Sequence, residues 1–437
     1  MLPILHQSYW RDEAFSVLLS LKSIKDIFFL TAKDVHPPLY YFFLHYWMKI
    51  FGDAEYVTRT FSFLTHLLIV LTCFFLIKHF IKNWKISLLG AFAVFLNPFL
   101  LEYAFDTTSY MFFALTVIMA TLFYLKKNYV ISALFLGLMV FSHNFGIFFF
   151  IPFLVYWFYE NRENWTKQLK GFFQLFGFSI LVFLGWSVFL YKQWVKVASG
   201  YWIGPKTSSI FVDSFRVFFQ GNPDYPSRAM LYNLTLILVF LAFSYWVIRA
   251  TKKKEKNNIK KESLLLIFLF SIPFLIVYII SAYWVPIYHE RYLIPALPIF
   301  IVWVVISLFK LSKRSDSLSC YIFAFVVAYL LFSVQSSEEL LRKTTKPPIN
   351  WGVKEVLSKV QSGDVIIPEN NMNFLETKYY VQKSGENIPV YAYSEKGFEE
   401  IPFYLGRVLF EKKEIIEKYP VSRGVWFIKS DGGYYQE

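Results

Sequence analysis

Long apolar runs separated by short polar breaks dominate the chain from about residue 55 to residue 335. Ten of them, at 55–77, 86–101, 108–125, 129–142, 145–159, 169–191, 230–248, 263–284, 293–309 and 318–334, read as membrane-spanning helices. The longest, such as 169–191 and 263–284, reach the roughly 20 residues that cross about 30 Å of hydrocarbon. The pattern predicts an all-α polytopic membrane protein with about ten visible transmembrane helices. Runs 129–142 and 145–159 are the shortest, and the break between them predicts a tight hairpin about His143 and Asn144.

Three stretches fall outside this pattern. Residues 1–54 are mixed polar and aromatic, a first external loop with interfacial helices. Residues 192–229 read as a long outer loop within the membrane core of 55–337. From 338 to 437 the character changes: strand-like runs at 364–367 and 425–428 alternate with helix-like runs at 353–360 and 411–418, predicting a small soluble α/β C-terminal domain.

Composition agrees with the pattern, at 56% apolar, 22% aromatic and 17% charged over 437 residues. It excludes collagen, a disordered chain and a cysteine-stapled secreted domain. The net charge of +13 would suggest nucleic acid in a soluble protein. Counting Lys and Arg by alternate loops gives 18 on one side and 6 on the other, so most of the surplus is a cytoplasmic topology signal and no nucleic-acid partner is expected. Both chain ends, including the C-terminal domain, are then expected outside the cytoplasm. Met1 to Leu5 cannot form a span or a signal, so a first span upstream is expected to be missing from this sequence. Cys73 and Cys320 lie in apolar runs and read as buried free thiols. No HExxH, paired CxxC, Walker loop or glycine-rich dinucleotide fingerprint occurs, which leaves metalloproteolysis, structural zinc and nucleotide-driven transport without support.

Candidate chemistry lies at the outer ends of the spans. Asp12 and Glu13, beside Trp10, read either as a general base or as a solvated acidic pair at a helix N-terminus. His36-Pro37-Pro38 runs into aromatic residues that suit an interfacial helix, with His36 a ligand or a structural histidine. Asp106 reads as a site carboxylate or a helix-start acid. Arg291 suits a phosphate through its planar guanidinium, or snorkels. Arg59 and His289 are weaker candidates of the same kind. His143 reads as a cavity liner or a packing histidine, and Tyr201 with Trp202 as a sugar platform or an interface anchor.

The ordered set Asp12-Glu13, His36-Pro37-Pro38-Leu39-Tyr40-Tyr41, Phe51-Gly52, Arg59, Asn97-Pro98, Glu102-Tyr103-Ala104-Phe105-Asp106, Ser142-His143, Tyr201-Trp202-Ile203-Gly204-Pro205 and His289-Glu290-Arg291-Tyr292-Leu293-Ile294-Pro295 resembles GT-C membrane glycosyltransferases. The likeness is to the glycosyltransferase family 39 type, protein O-mannosyltransferases and aminoarabinose transferases, over roughly residues 8–310. It implies an inverting transfer of a sugar from a polyprenyl-phosphate donor to an acceptor hydroxyl on protein, lipid or glycan, at the extracytoplasmic face of a prokaryotic plasma membrane. In that reading Asp12 is the base, Glu13 supports it, Asp106 positions substrate and Arg291 stabilises the leaving phosphate. Arg59, His289, His36, His143, Tyr201 and Trp202 are further substrate contacts. The family differs in metal use, so a divalent metal is allowed but not required, and His36, Glu13 and Asp106 are the residues that would share one. Many relatives carry Arg where this chain has Thr108, so a contact with phosphate or carboxylate is expected to be lost there.

Two other readings compete. A transporter or flippase of lipid-linked sugars explains the spans, but such proteins place ionisable groups near the midplane rather than at outer span ends. A non-catalytic relative acting as an assembly subunit fits the changed residue at 108 and the missing span.

Overall fold

The computed structural model describes residues 2–204, 209–221, 226–251, 262–342, 346–420 and 424–437. The first segment folds into four helices, α1 (Pro3–His6), α2 (Arg11–Ser20), α3 (Ile24–Lys33) and α4 (Leu39–Phe51). Two acids in the first turn of α2 suit the positive end of its dipole, and Glu13 accepts the Trp10 backbone N–H at 3.3 Å. Ser23 caps α3 through the Asp26 N–H, and α4 starts directly after Pro38.

The apolar runs form α5 (Glu55–Ile81), α6 (Trp84–Phe95), α7 (Pro98–Ala104), α8 (Tyr110–Leu125), α9 (Tyr129–Ser142) and α10 (Gly146–Asn161). They continue as α11 (Leu169–Ala198), α12 (Ile210–Gln220), α13 (Pro226–Thr251), α14 (Glu262–Tyr283), α15 (Ala296–Ser312) and α16 (Asp316–Arg342). Every expected run is thus helical. Among the described residues 5 helices are by themselves long and apolar enough to cross a membrane, or 6 if the bent α6–α7 pair is one span, while α8, α9 and α15 are shorter apolar helices. The hairpin at His143 and Asn144 forms as expected, between α9 and α10.

Helices α6 and α7 meet at 66°. Asn97 sets the bend, because its side chain accepts from Leu100 N while its amide donates to the Phe218 carbonyl, and Pro98 supplies the first helical φ. This turn carries the chain to Asp106. The expected outer loop at 192–229 is largely helical, since α11 runs on to Ala198 and α12 fills the middle. Pro205 and Lys206 of that loop, and residues 252–261 of the basic run, lie outside the described residues. Cys73 is buried, whereas Cys320, expected to be buried, is exposed on the outer surface of α16.

The tail contains α17 (Ile349–Leu357), β1 (Val365–Pro368), α18 (Phe374–Ser384), β2 (Ala392–Tyr393), β3 (Ile415–Ile416), β4 (Val425–Ile428) and β5 (Tyr434–Gln436). Strand β1 pairs parallel with β4, and β4 antiparallel with β5. The run expected to be helical at 411–418 is instead a 3-10 turn followed by β3, which pairs with β2. Residues alternate across β1 and β4: Ile366, Trp426 and Ile428 face one core and Val365, Ile367, Val425 and Phe427 another. The first of these cores is shared with the start of the chain. Ile349, Phe374, Leu375 and Tyr379 pack with Tyr9, Phe15, Leu18 and Tyr40 around one centre. Gly406 approaches α2 closely. Its φ is 78°, and a Cβ there would lie 2.6 Å from the Phe15 ring, so both backbone conformation and space demand glycine.

Candidate active site

Adjacent residues on a helix point about 100° apart, so Asp12 and Glu13 cannot share one environment. Glu13 faces inward and is fully buried. Its carboxylate accepts Arg59 Nε at 2.9 Å, Arg59 Nη2 at 2.7 Å, Thr107 N at 2.9 Å and Lys346 Nζ at 2.7 Å. The remaining donors of Arg59 go to the carbonyls of Ile4, Leu5, Gln7 and Ser8. Burial alone would raise the Glu13 carboxyl, but the Arg59 and Lys346 charges hold it down at about 2. Glu13 and Arg59 therefore form a clamp tying α2 to α5, and neither lines a described cavity. The structure places both, expected in catalysis and in substrate binding, in this clamp rather than on the cavity wall.

Lys346, which the sequence reading did not single out, extends this clamp. Its ammonium bridges Glu13 and, at 2.5 Å, Asp106 Oδ1. Asp106 also accepts the Trp10 indole N–H at 2.9 Å. Burial and the neighbouring Glu13 push the Asp106 carboxyl above its ordinary range while Lys346 pulls it back. Asp106 thus holds Trp10 and the tail's first residues rather than opening into the cavity. A cation reaches it from Lys346, although none is available at position 108. Among several lysines in 343–354, only the need to neutralise two buried acids would have distinguished this one.

Asp12 points the other way, into a cavity of about 600 Å³ including its open mouth. Its Oδ2 accepts from Arg291 Nη1 at 3.1 Å, and its Oδ1 from Arg11 Nε at 3.2 Å. Burial raises the Asp12 carboxyl, but Arg291 and then Arg11 outweigh it, so the group stays below its ordinary value and ionised. Arg291 comes from a short 3-10 turn after α14, where His289 accepts the Arg291 backbone N–H at 3.4 Å. The guanidinium sits among the rings of Trp202, Tyr292, Tyr110 and Trp10 at 5.0, 5.4, 5.5 and 5.9 Å, and among the described residues its buried Nε has no partner. Thr108 lines the same cavity, its buried hydroxyl likewise unpartnered among the described residues. The charge is fixed by aromatic walls and one carboxylate, with donor capacity left for an anion.

A second, mostly apolar groove of about 1100 Å³ including its mouth adjoins this cavity, and Val35, His36, Tyr201 and Tyr292 line both. His143 lines the groove, stacked on Phe113 at 5.0 Å, with Nδ1 accepting the Phe145 N–H. His36 stands at the junction, its Nδ1 2.9 Å from Asp34. Tyr201 and Trp202 reach the first cavity, and the Tyr201 and Tyr292 hydroxyls are 3.1 Å apart. His289 lines neither space and instead shapes the Arg291 turn, packing against Trp202 at 5.2 Å. Of the ten residues singled out from sequence, the structure gathers Asp12, His36, His143, Tyr201, Trp202 and Arg291 around two connected spaces. It sets Glu13, Arg59, Asp106 and His289 behind them.

Among the described residues no three His, Cys, Asp or Glu side chains are placed to hold a metal ion. The set expected to share one is divided: Lys346 lies between Glu13 and Asp106, and His36 is paired with Asp34.

Residues 35–189 match the family model described as dolichyl-phosphate-mannose-protein mannosyltransferase. Among solved structures, ArnT from Cupriavidus metallidurans in the apo state is similar at a TM-score of 0.66 and 11% identity, over 98% of this chain and 90% of that one. The same protein bound to undecaprenyl phosphate is similar at a TM-score of 0.59, with the same identity and coverage. A search of curated protein sequences finds no match.

Proposed function

We propose that this chain, whose fold is similar to that of ArnT and whose residues 35–189 match the mannosyltransferase model, transfers a sugar from a polyprenyl-phosphate donor to an acceptor hydroxyl, with inversion at the anomeric carbon. One observation carries the reading: a carboxylate and an arginine 279 residues apart in the chain, Asp12 and Arg291, meet at 3.1 Å in a polar cavity that adjoins an apolar groove. A donor with a polar phosphosugar and a hydrocarbon tail has that same two-part chemistry. The tail lies in the groove beside His143 and Phe148, and the phosphate takes the guanidinium of Arg291.

Donor binding also prepares the base. While Asp12 is paired to Arg291 its carboxylate is a weak acceptor of protons. A phosphate that draws Arg291 away relieves that pairing, and Asp12 Oδ2 becomes free for the acceptor. The acceptor oxygen then attacks the anomeric carbon and its proton passes to Asp12. The bond from that carbon to the phosphate oxygen breaks, and its electron pair leaves with the phosphate, stabilised by Arg291.

The loop charge asymmetry supports a site on the side away from the cytoplasm, with the tail on the same side. Transfer of label from a polyprenyl-phosphate hexose to added acceptors by the purified chain in detergent tests the function. Without a sealed compartment a flippase gives no product. Transfer that survives Asp12→Asn undiminished contradicts the assignment of the base.

A further inference from the structure

A third cavity lies in the tail, about 780 Å³ including its open mouth. Tyr404 and Leu405 line both it and the Asp12 cavity, so the two are separated only by the 402–406 segment. That segment is seated against the outer loop, with Phe403 stacked on Tyr201 at 6.0 Å and Tyr404 edge-on to it at 6.3 Å.

The lining is built for a polar, uncharged ring. Tyr419 is 45% exposed and stacks on Tyr393 at 4.6 Å, presenting an aromatic face beside the carboxamides of Asn370 and Asn371. The rim is fixed in advance: the Asn371 amide donates to the Tyr393 carbonyl at 2.8 Å, and Asn370 accepts the Met372 N–H at 2.9 Å. Among the described residues lining the cavity, Glu369 is the one that carries a charge. A phosphorylated acceptor would meet a like charge there, whereas a sugar hydroxyl would meet a carboxylate acceptor and an aromatic face.

We propose that this cavity is the acceptor subsite and that it binds a neutral saccharide, whose hydroxyl passes over Tyr404 and Leu405 to Asp12. The proposal rests on the glycosyl-transfer reading of the neighbouring cavity and adds the acceptor class to it.

The test uses the full chain in detergent, with neutral hexose tetrasaccharides as the probe. A hexose phosphate and a Ser/Thr peptide are compared with it. Tyr419→Ala and Glu369→Ala alter exposed side chains, so both variants are expected to fold. Each is expected to raise KM for the tetrasaccharide about tenfold, the equivalent of one lost stacking or charged hydrogen-bond contact, with donor affinity unchanged. Saturation-transfer NMR between protein and tetrasaccharide, recorded without donor, is expected to give a signal in the parent chain that Tyr419→Ala abolishes. If the parent chain transfers no sugar but that NMR signal is present and lost in the variant, the cavity stands as a saccharide site and the transfer reading falls. Parental KM and NMR signal in both variants overturn the proposal. So does a phosphate or peptide probe that binds more tightly than the tetrasaccharide with the same sensitivity to Tyr419→Ala.

Discussion

Replacing Lys346 by methionine removes the ammonium between two buried carboxylates while keeping most of the side chain's length. Breaking a buried ion pair by removing one partner costs about 3–5 kcal/mol, because the other charge is left unpaired. Here Glu13 keeps the two hydrogen bonds from Arg59, so the loss falls on Asp106, which retains the Trp10 indole among its described partners. Asp106 limits the damage by taking up a proton, since burial and Glu13 already push its carboxyl upward. About 3 kcal/mol at pH 8, the low end of the range, is therefore expected, a fall of several degrees in Tm. The sign with pH follows from linkage. In the variant the folded-state value of Asp106 is raised further above its unfolded value, so the variant recovers stability as pH falls and loses it as pH rises. Thermal unfolding of detergent-purified Lys346→Met, Lys346→Arg and the parent chain between pH 5 and 8 checks this. Lys346→Arg should stay close to the parent. A gap absent at all pH values, or one that widens toward acid, refutes the clamp.

Three further outcomes are expected. Glu13→Gln leaves the fully buried Arg59 without a countercharge, costing about 3–5 kcal/mol, so folded yield measured by size exclusion should fall before any defect in turnover is seen. A well-folded variant that only slows turnover would return Glu13 to the catalytic set. Glu376 in α18 is buried with one carboxylate oxygen unpartnered among the described residues, and burial pushes its carboxyl up to about 8, with nearby Asp12 adding to the rise and Arg11 opposing it. Its contribution to stability is full below about 4.5 and is lost as pH rises toward 8, so Glu376→Gln should gain on the parent across that window in a Tm series; parallel curves would contradict it. Arg291→Lys keeps charge but loses the planar fork, and donor KM is expected to rise about tenfold in steady-state transfer assays; unchanged donor kinetics would remove Arg291 from the phosphate.

Apolar patterning made the helices legible because each run must bury or face hydrocarbon whatever its partners are. The bend within the run at 86–101 was less legible, since a continuous apolar run does not reveal the turn at Asn97. Asp12, His36, Tyr201 and Arg291 were legible as a group through motif order, and the structure does gather them. Which acid of the Asp12–Glu13 pair faces the cavity was not legible, because that is decided by helix phase against α5 and the tail. Lys346 and the cavity at Tyr419 escaped for a related reason. Each acquires meaning only through contacts more than 200 residues away or across the 402–406 segment. The tail's strands were readable from their apolar runs, but not that its core is completed by Tyr9, Phe15 and Tyr40.

The most direct test of the central claim is a single-turnover reaction of the purified chain with a polyprenyl-phosphate sugar of known anomeric configuration, with the product's configuration read by NMR. Inverted product from the parent chain is predicted, with none above background from Asp12→Asn, although that variant still binds donor. Product of retained configuration, or parental turnover from Asp12→Asn, would contradict a base at Asp12 acting opposite a phosphate held by Arg291.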